Sequence, residues 1–256
     1  HLIQFIHHHQ KEKIMVETPY YYFKAALSVD ECNRIKDLGI SKMPENAATR
    51  GQREKLDNQK NPVSSTYEEI RKQGGDIEDY YVRDSKVSWL NDEWIYELIH
   101  PFVNEANKKA NWNYEWDFSE NCQFTQYDAP GGFYGWHQDA SADSANMYKR
   151  YIHGITEEQL GTKEIPLSYT RHNGYIGKTR KLSVTVNLSS QEEYEGGNLM
   201  FDFGEHTEID RFHICEEARE QGSIIIFPSF VYHKVEPVTK GTRYSLVLWN
   251  LGKPLK

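Results

Sequence analysis

The sequence predicts an α+β fold that is mainly β, with N-terminal helices supporting an antiparallel β-sandwich or barrel. Two observations lead to this class. Helical spacing of apolar residues is found before residue 119, and after it short apolar runs alternate with Gly and Pro turns. The length of 256 residues allows one large domain. We therefore expect a single domain over 1–256, with mostly helical support over 20–118 and a β-core over 119–252.

The helices are predicted from caps and periodicity. Ser28 and Glu31 form a capping-box pattern ahead of apolar residues at helical spacing. A short helix is expected around 64–70. The clearest helix opens at Asn91, and Pro101 inside it should kink or interrupt it.

The strands are predicted from alternation and from the turns that bound them. The expected strands are 123–127, 182–188, 199–203, 208–214, 224–227, 231–235 and 244–249. The stretch 141–181, about forty residues, has little strand character and reads as a long insertion. It is either a lid or docking surface for substrate, with tyrosines and basic residues that could grip a peptide, or a passive surface loop.

Charge and composition disfavour several classes of partner. The net charge of −8 gives no general affinity for nucleic acid or anionic lipid, and no apolar run approaches the roughly 20 residues of a membrane span. The first ten residues lack the features of a signal peptide, and three scattered cysteines fit a reducing compartment. We expect a cytoplasmic protein without nucleic-acid or membrane partners. The sequence does not indicate the oligomeric state.

His137 and Asp139 are the first candidate metal ligands. On an extended segment, residues i and i+2 point to the same side, so the imidazole and the carboxylate would project together. Two histidines and one carboxylate form a ligand set that suits iron(II) and leaves adjacent coordination positions open. A lone His-x-Asp is weak evidence, because a chain with eleven histidines produces one by chance.

His233 is expected to be the third ligand, although a strand histidine can also be an ordinary core residue. Arg243 and Ser245, after a predicted turn at Gly241-Thr242, would share one face of the next strand. If that strand pairs with the His233 strand, a guanidinium and a hydroxyl lie near the metal. Arginine binds a carboxylate bidentately, which suits one end of a dicarboxylate. The alternative for Arg243 is a buried salt bridge to an acidic side chain.

Other histidines are predicted to have no metal role. His206 and Glu208 repeat the His-x-carboxylate spacing near His213, but no comparable arginine follows, so a solvated connection is expected. Three further histidines have no partner at metal-ligand spacing: His100, His153 and His172.

The order His137-x-Asp139, His233, Arg243-x-Ser245 resembles the iron(II)/2-oxoglutarate-dependent dioxygenase superfamily, specifically its prolyl-4-hydroxylase-like branch. The resemblance covers roughly residues 81–250. The flanking segments that agree are Arg83-Asp84-Ser85, the run from Glu120 to Tyr127, Tyr194-Glu195-Gly196-Gly197, and Gly222-Ser223 leading to Phe227-Pro228.

The resemblance implies a double-stranded β-helix, the jelly-roll or cupin-like core, with the metal at its mouth. It implies Fe(II) as the metal, 2-oxoglutarate and O2 as co-substrates, and ascorbate as a candidate reductant. The implied residues are His137, Asp139 and His233 as catalytic metal ligands, and Arg243, Ser245 and Tyr127 as ligands of the 2-oxoglutarate 5-carboxylate. Asp139 being a carboxylate argues against the halogenating relatives.

The function that the resemblance implies is hydroxylation of a prolyl, or other, residue in a peptide or protein, with release of succinate and CO2. A second reading places the same chemistry on a free amino acid or another small metabolite. A third is a cupin-like module that binds a ligand or metal without turnover. The negative charge disfavours nucleic-acid repair relatives.

Overall fold

The computed structural model describes residues 18–47, 83–140, 178–204 and 211–253. Several predictions lie outside these ranges. They are the short helix near 64–70, the first 37 residues of the insertion (141–177), and the residues His153, His172, His206 and Glu208.

Two α-helices lie in the described part of the chain. Helix α1, Val29–Ser41, has the predicted capping box, in which Glu31 N–H donates to Ser28 Oγ and Ser28 N–H donates to Glu31. Helix α2, Glu93–Lys109, begins two residues later than predicted and runs through Pro101 without interruption. A proline removes one backbone hydrogen bond, but packing of the buried helix face against the sheet holds the turns on both sides of it. None of the described helices is long and apolar enough to cross a membrane.

A short 3-10 helix spans Glu216–Arg219. Fourteen strands complete the described elements. They are β1 Tyr21–Phe23, β2 Glu45–Asn46, β3 Arg83–Asp84, β4 Lys86–Leu90, β5 Phe118–Ser119, β6 Cys122–Asp128, β7 Phe133–His137, β8 Thr179–Asn187, β9 Tyr194–Gly196, β10 Leu199–Asp202, β11 Phe212–Ile214, β12 Ile224–Pro228, β13 Tyr232–Val235 and β14 Val238–Gly252.

The strands form two antiparallel sheets. The larger has nine strands in the order β1-β12-β8-β14-β6-β4-β2, with β5 and β9 each paired to β14. The smaller has the order β11-β10-β13-β7-β3. Strands that are distant in sequence are neighbours in both sheets, as the jelly-roll prediction requires.

The two faces of the larger sheet differ in character. One face packs on α1 and α2 and forms the main apolar core, to which β6, β8 and β14 contribute alternate residues such as Phe124, Val184 and Leu246. The opposite face carries Thr185, Arg243 and other pocket-lining residues. Alternation along each strand therefore separates a structural face from a face on which a site can be built.

Some predicted boundaries differ from the structure. Strand β8 begins at Thr179, so the insertion ends before the predicted residue 181. Strand β14 is continuous from Val238 to Gly252, and the predicted turn at Gly241-Thr242 is wrong. Gly241 has φ +71° and a Cβ there would lie 2.0 Å from Glu193 O, so this glycine permits close approach of β9 within the strand.

The β-structure also begins earlier in the chain than the predicted core at residue 119. Strands β1 to β4 lie wholly before it and join both sheets. The segment predicted as mostly helical support therefore supplies strands as well as the two helices. The division of the chain into domains stays a prediction.

Candidate active site

His137 lies at the end of β7, and a β-bulge decides which way its side chain points. His137 is the cross-strand partner of His233, whereas Tyr134 is the partner of Val235. The step from Tyr134 to His137 along β7 is three residues, whereas the step between their partners on β13 is two residues. The extra residue on β7 forms a β-bulge. As a result, Tyr134 and His137 both line the same pocket although their spacing is odd.

Direct pairing of β13 with β7 brings the two histidines together. His233 and His137 are partners in register, and their ring centroids are 4.2 Å apart. Both residues are buried. The Tyr134 ring stacks on His137 at 3.6 Å, and the Phe227 ring meets His233 edge-on at 4.6 Å, so each imidazole is held by an aromatic neighbour.

Asp139 follows β7 by two residues and is fixed by hydrogen bonds. Its backbone N–H donates to Ser229 O at 2.9 Å, and its Oδ2 accepts from Ser183 Oγ at 2.6 Å. The carboxylate oxygens lie 3.7 Å from His137 Nε2 and 3.6 Å from His233 Nε2. The predicted convergence of the three side chains is therefore present in the structure.

The outer nitrogen of each imidazole is occupied by a backbone carbonyl. His137 Nδ1 is 2.8 Å from Gly135 O, and His233 Nδ1 is 3.0 Å from Val231 O. A carbonyl can only accept, so Nδ1 carries the proton in both rings and Nε2 presents its lone pair. Backbone partners of this kind orient metal-binding histidines.

Burial sets the charge state of these groups. Burial, with a smaller contribution from His233, lowers the pKa of His137 to about 3, so its ring is neutral near pH 7. Burial alone would raise the pKa of Asp139, but the nearby His233 and the Ser183 hydrogen bond help to lower it below its usual range. Neutral imidazoles and an ionised carboxylate are the forms that bind a metal ion.

The residues fit a metal ion. One ligand atom from each of His137, Asp139 and His233 lies within 4.8 Å of the other two, and within the described ranges no other group of His, Cys, Asp and Glu meets this criterion. Two imidazoles and one carboxylate on one side of a pocket are the donor set of non-haem iron(II) oxygenases.

Arg243 reaches the pocket by a different route from the one predicted. Its strand β14 pairs with β6 and β8 of the larger sheet, and not with β13. The condition considered above, pairing of this strand with the His233 strand, is therefore not met, because the chain order after His233 does not determine which sheet β14 joins. Arg243 instead faces the metal ligands across the space between the two sheets, and it lines the same pocket.

The Arg243 guanidinium is buried without a complete set of partners. The residue is 2% exposed, and its Nη1 has no hydrogen-bond partner in the described part of the chain. No carboxylate of a described residue pairs with it, so the alternative of a buried salt bridge finds no support in those ranges. A buried cation without an anion is costly, and a ligand carboxylate could accept from the unpartnered Nη1.

The other two predicted co-substrate ligands lie beside Arg243. Tyr127 on β6 is its cross-strand partner, and the guanidinium carbon lies 5.6 Å from the Tyr127 ring centroid. Ser245 lies two residues further along β14 on the same face. Both residues are buried and line the pocket, which has an empty volume of about 440 Å³.

Sequence reasoning missed several residues of the site. Arg180, within the predicted insertion, forms a buried bidentate pair with Glu120 at 2.6 and 2.8 Å and donates to Asp139 O at 3.4 Å. It also stacks on Trp249 at 3.8 Å, and Trp249 lines the pocket with a buried indole N–H that has no partner among the described residues. A basic residue opening an apolar strand at 180–188 was the available signal.

The roles of Ser183 and Gly197 were also missed. Ser183 orients Asp139, and it looks like any strand serine in the sequence. A Cβ at Gly197 would lie 3.0 Å from Arg243 Cδ, so this glycine leaves space for the arginine stem.

Two histidines predicted to have no metal role are described, and neither lies near the candidate metal ligands. His100, on α2, is hydrogen-bonded to Ser119 Oγ at 3.0 Å. The Nε2 atom of His213, on β11, lies 2.9 Å from Tyr20 Oη.

Comparison with known proteins agrees with this geometry. The model of the 2OG-Fe(II) oxygenase superfamily matches residues 163–250. This range includes His233, Arg243 and Ser245, but it begins after His137 and Asp139.

Curated relatives match a part of the chain. A PKHD-type hydroxylase of Gloeothece citriformis is 33% identical over 105 residues, which are 39% of this chain and 43% of the relative. A PKHD-type hydroxylase of Prochlorococcus marinus is 37% identical over 103 residues, 39% of this chain and 42% of that protein. The matches thus span less than half the length of these relatives.

Solved structures match the fold over most of the chain. The viral collagen prolyl hydroxylase of Paramecium Bursaria Chlorella virus-1 has a TM-score of 0.53 at 15% identity, covering 92% of this chain and 97% of that one. A Pseudomonas putida prolyl-4-hydroxylase has a TM-score of 0.50 at 16% identity, covering 91% of this chain and 92% of that one. The mainly β, jelly-roll prediction is confirmed. The predicted resemblance of this chain to the iron(II)/2-oxoglutarate-dependent dioxygenase superfamily is likewise confirmed.

Proposed function

We propose that this protein is an iron(II)- and 2-oxoglutarate-dependent dioxygenase that hydroxylates a prolyl, or other, residue of a peptide or protein. His137, Asp139 and His233 would hold the iron, and Arg243 would hold the 5-carboxylate of 2-oxoglutarate with Ser245 and Tyr127. When bound, the iron and 2-oxoglutarate supply the oxidising chemistry, with O2 consumed and succinate and CO2 released.

One observation carries this proposal: the partly unpartnered, buried Arg243 lies in the same pocket as the three metal-binding side chains. A module that only bound a metal would have no use for a buried guanidinium opposite it. A dicarboxylate with one end at the metal and the other at Arg243 would complete both sites at once.

The protein's own contribution is to position and to exclude water. The two Nδ1–H groups donate to backbone carbonyls, so both Nε2 lone pairs are aimed before any metal arrives. The Ser183 hydroxyl holds Asp139 Oδ2. Aromatic rings cover both imidazoles, and these features together favour a rigid and largely dry site.

The first test is an anaerobic titration of the iron-loaded protein with 2-oxoglutarate, followed by visible absorption. We expect a charge-transfer band in the wild type that is lost in His137→Ala. Arg243→Ala should retain iron but need much more 2-oxoglutarate to develop the band. Iron bound without any band would contradict an oxygenase and favour a binding module.

Matched controls are available on the same chain. His100→Ala removes a half-buried histidine outside the pocket. Arg34→Ala removes an arginine of α1 whose guanidinium carbon lies 3.8 Å from the centroid of the Trp94 ring. Both variants should titrate like the wild type. A loss of the band in either control would mean that the substitutions act by unfolding.

The peptide substrate class is supported by similarity to the relatives. One solved structure with this fold is a prolyl hydroxylase from Trichoplax adhaerens in complex with a peptide fragment of the hypoxia-inducible factor oxygen degradation domain, with a TM-score of 0.50 and 13% identity. Oxygen consumption with proline-containing peptides and with free amino acids tests the class. If only free amino acids stimulated oxygen consumption, the proposed peptide substrate would be wrong and the substrate would be a small metabolite.

A further inference from the structure

A row of rings crosses the smaller sheet from the candidate metal ligands to the outer strand β11. His137 pairs with His233, His233 pairs with Phe201, and Phe201 pairs with His213 in the cross-strand register. The ring centroids of Phe201 and His233 are 6.5 Å apart. The candidate metal ligands are thus connected through one phenylalanine to a histidine on β11, the strand at the edge of the sheet.

Tyr20 lies on this row. Its ring stacks on Phe201 with centroids 5.0 Å apart and planes 16° apart. Its hydroxyl lies 2.9 Å from His213 Nε2 and donates to Glu217 Oε2 at 3.3 Å. Tyr20 is half-buried, so its ring reaches the aromatic row while its edge remains accessible from solvent.

We propose that Tyr20 is a redox-active residue that returns one electron to the iron centre when O2 and 2-oxoglutarate oxidise that centre in the absence of substrate. This inference rests on the proposed function. Its role would be to carry oxidising equivalents away from the pocket before they modify the pocket's own side chains.

The electron and the proton are both accounted for. One electron passes from the Tyr20 ring through Phe201 and His233 to the oxidised iron, which is reduced by one step. The phenolic O–H bond breaks and its proton moves to His213 or Glu217, each of which contacts the hydroxyl, leaving a neutral tyrosyl radical. A small one-electron reductant of the ascorbate class then reduces the radical, and the proton returns from the same acceptor.

The proton acceptors distinguish Tyr20 from Tyr134, which lies closer to the metal ligands. Tyr134 stacks on His137, but its hydroxyl has no hydrogen-bond partner among the described residues. Oxidation of a phenol is favoured where an acceptor can take its proton, and of these two tyrosines only Tyr20 has side-chain acceptors within hydrogen-bond distance among the described residues.

The test is freeze-quenched electron paramagnetic resonance. Anaerobic protein loaded with iron and 2-oxoglutarate is mixed with O2 without substrate. We expect a tyrosyl radical signal in the wild type that is lost in Tyr20→Phe. The matched control is Tyr22→Phe, since Tyr22 is 42% exposed and its ring is 6.2 Å from that of Tyr20. This control should keep the signal, and His213→Gln should lower its yield.

Mass spectrometry of the same samples gives a second readout. Oxidation of Tyr134 and Trp249 should rise in Tyr20→Phe relative to the wild type and to Tyr22→Phe. A purely structural Tyr20 would change the unfolding temperature, but it would change neither the radical nor the pattern of oxidation.

The outcomes separate the two proposals. A charge-transfer band on anaerobic loading without a radical at Tyr20, or with a radical that persists in Tyr20→Phe, would overturn the relay and leave the oxygenase proposal in place. Absence of the band would overturn both.

Discussion

The two ends of the pocket are built in opposite ways. At the metal end, each orienting group already has a protein partner: two imidazole Nδ1–H groups donate to carbonyls, and Asp139 accepts from Ser183. At the other end, Arg243 is buried with its Nη1 unpartnered among the described residues. The metal end is therefore preorganised by the fold, whereas the arginine end has a hydrogen-bond donor that a ligand carboxylate would satisfy.

The largest expected effect comes from removing charge at the metal end. Asp139→Asn keeps the shape of the side chain but replaces the ionised ligand with a neutral amide. Iron affinity should fall by more than about 100-fold, since even changes in the groups that support a ligand cost 10–100-fold. Isothermal titration with iron(II) under anaerobic conditions measures it. An affinity within a few-fold of the wild type would mean that Asp139 is not a ligand.

A smaller effect is expected from the group that holds Asp139. Ser183→Ala removes the 2.6 Å hydrogen bond and should lower iron affinity by about 10-fold. Ser88→Ala is the control, because Ser88 is a buried serine that bonds Gly39 O away from the site. Equal losses in both variants would show that the effect is general destabilisation.

The pH dependence of stability tests the burial of the metal end. The pKa of His137 is about 3 in the folded protein and about 6.5 in an unfolded chain, so the unfolded state binds the extra proton first. The stability that the folded state owes to keeping His137 neutral is fully present above about pH 6.5, and it is lost as the pH falls below that value. Between pH 6.5 and 5 the metal-free protein should lose about 2 kcal/mol through this group.

Chemical unfolding of the wild type and His137→Gln at several pH values measures this contribution. The decline should be shallower in His137→Gln. Identical slopes in the two proteins would show that His137 is protonated or exposed in the metal-free state.

The smallest expected effect has the opposite sign and lies at the arginine end. Arg243→Met should raise the unfolding free energy of the ligand-free protein by about 1 kcal/mol, because it removes a buried, incompletely paired cation. The same variant should lose the rise in unfolding temperature that 2-oxoglutarate gives the iron-loaded wild type. A destabilised ligand-free variant would indicate that Arg243 has a structural partner.

The sequence was informative wherever the signal was local. The capping box at Ser28 and Glu31, the alternating strand around Phe124, and the i, i+2 spacing of His137 and Asp139 depend on neighbours in the chain, and the structure contains all of them. Residues at such spacing have their geometry set by the backbone alone.

The errors arose where distant segments meet. The pairing partner of β14 is decided by packing between sheets, so the spacing from His233 to Arg243 could not reveal it. Ser183 and Arg180 support Asp139 from a strand more than forty residues away, and no local pattern marks them. Pro101 does not interrupt the helix for a similar reason, since tertiary packing outweighs a single missing hydrogen bond.

The bulge in β7 has a consequence for how the gene can vary. Tyr134 and His137 both face the pocket only because one extra residue lies between them and their partners on β13. Deleting Gly135 would place the two residues at i and i+2, which face the same side on a regular strand, but it would remove the carbonyl that accepts from His137 Nδ1. Loss of a single codon here would therefore keep both side chains in the pocket and every metal-binding residue in the sequence, while the hydrogen bond that orients His137 would be lost, a change that a motif search does not detect.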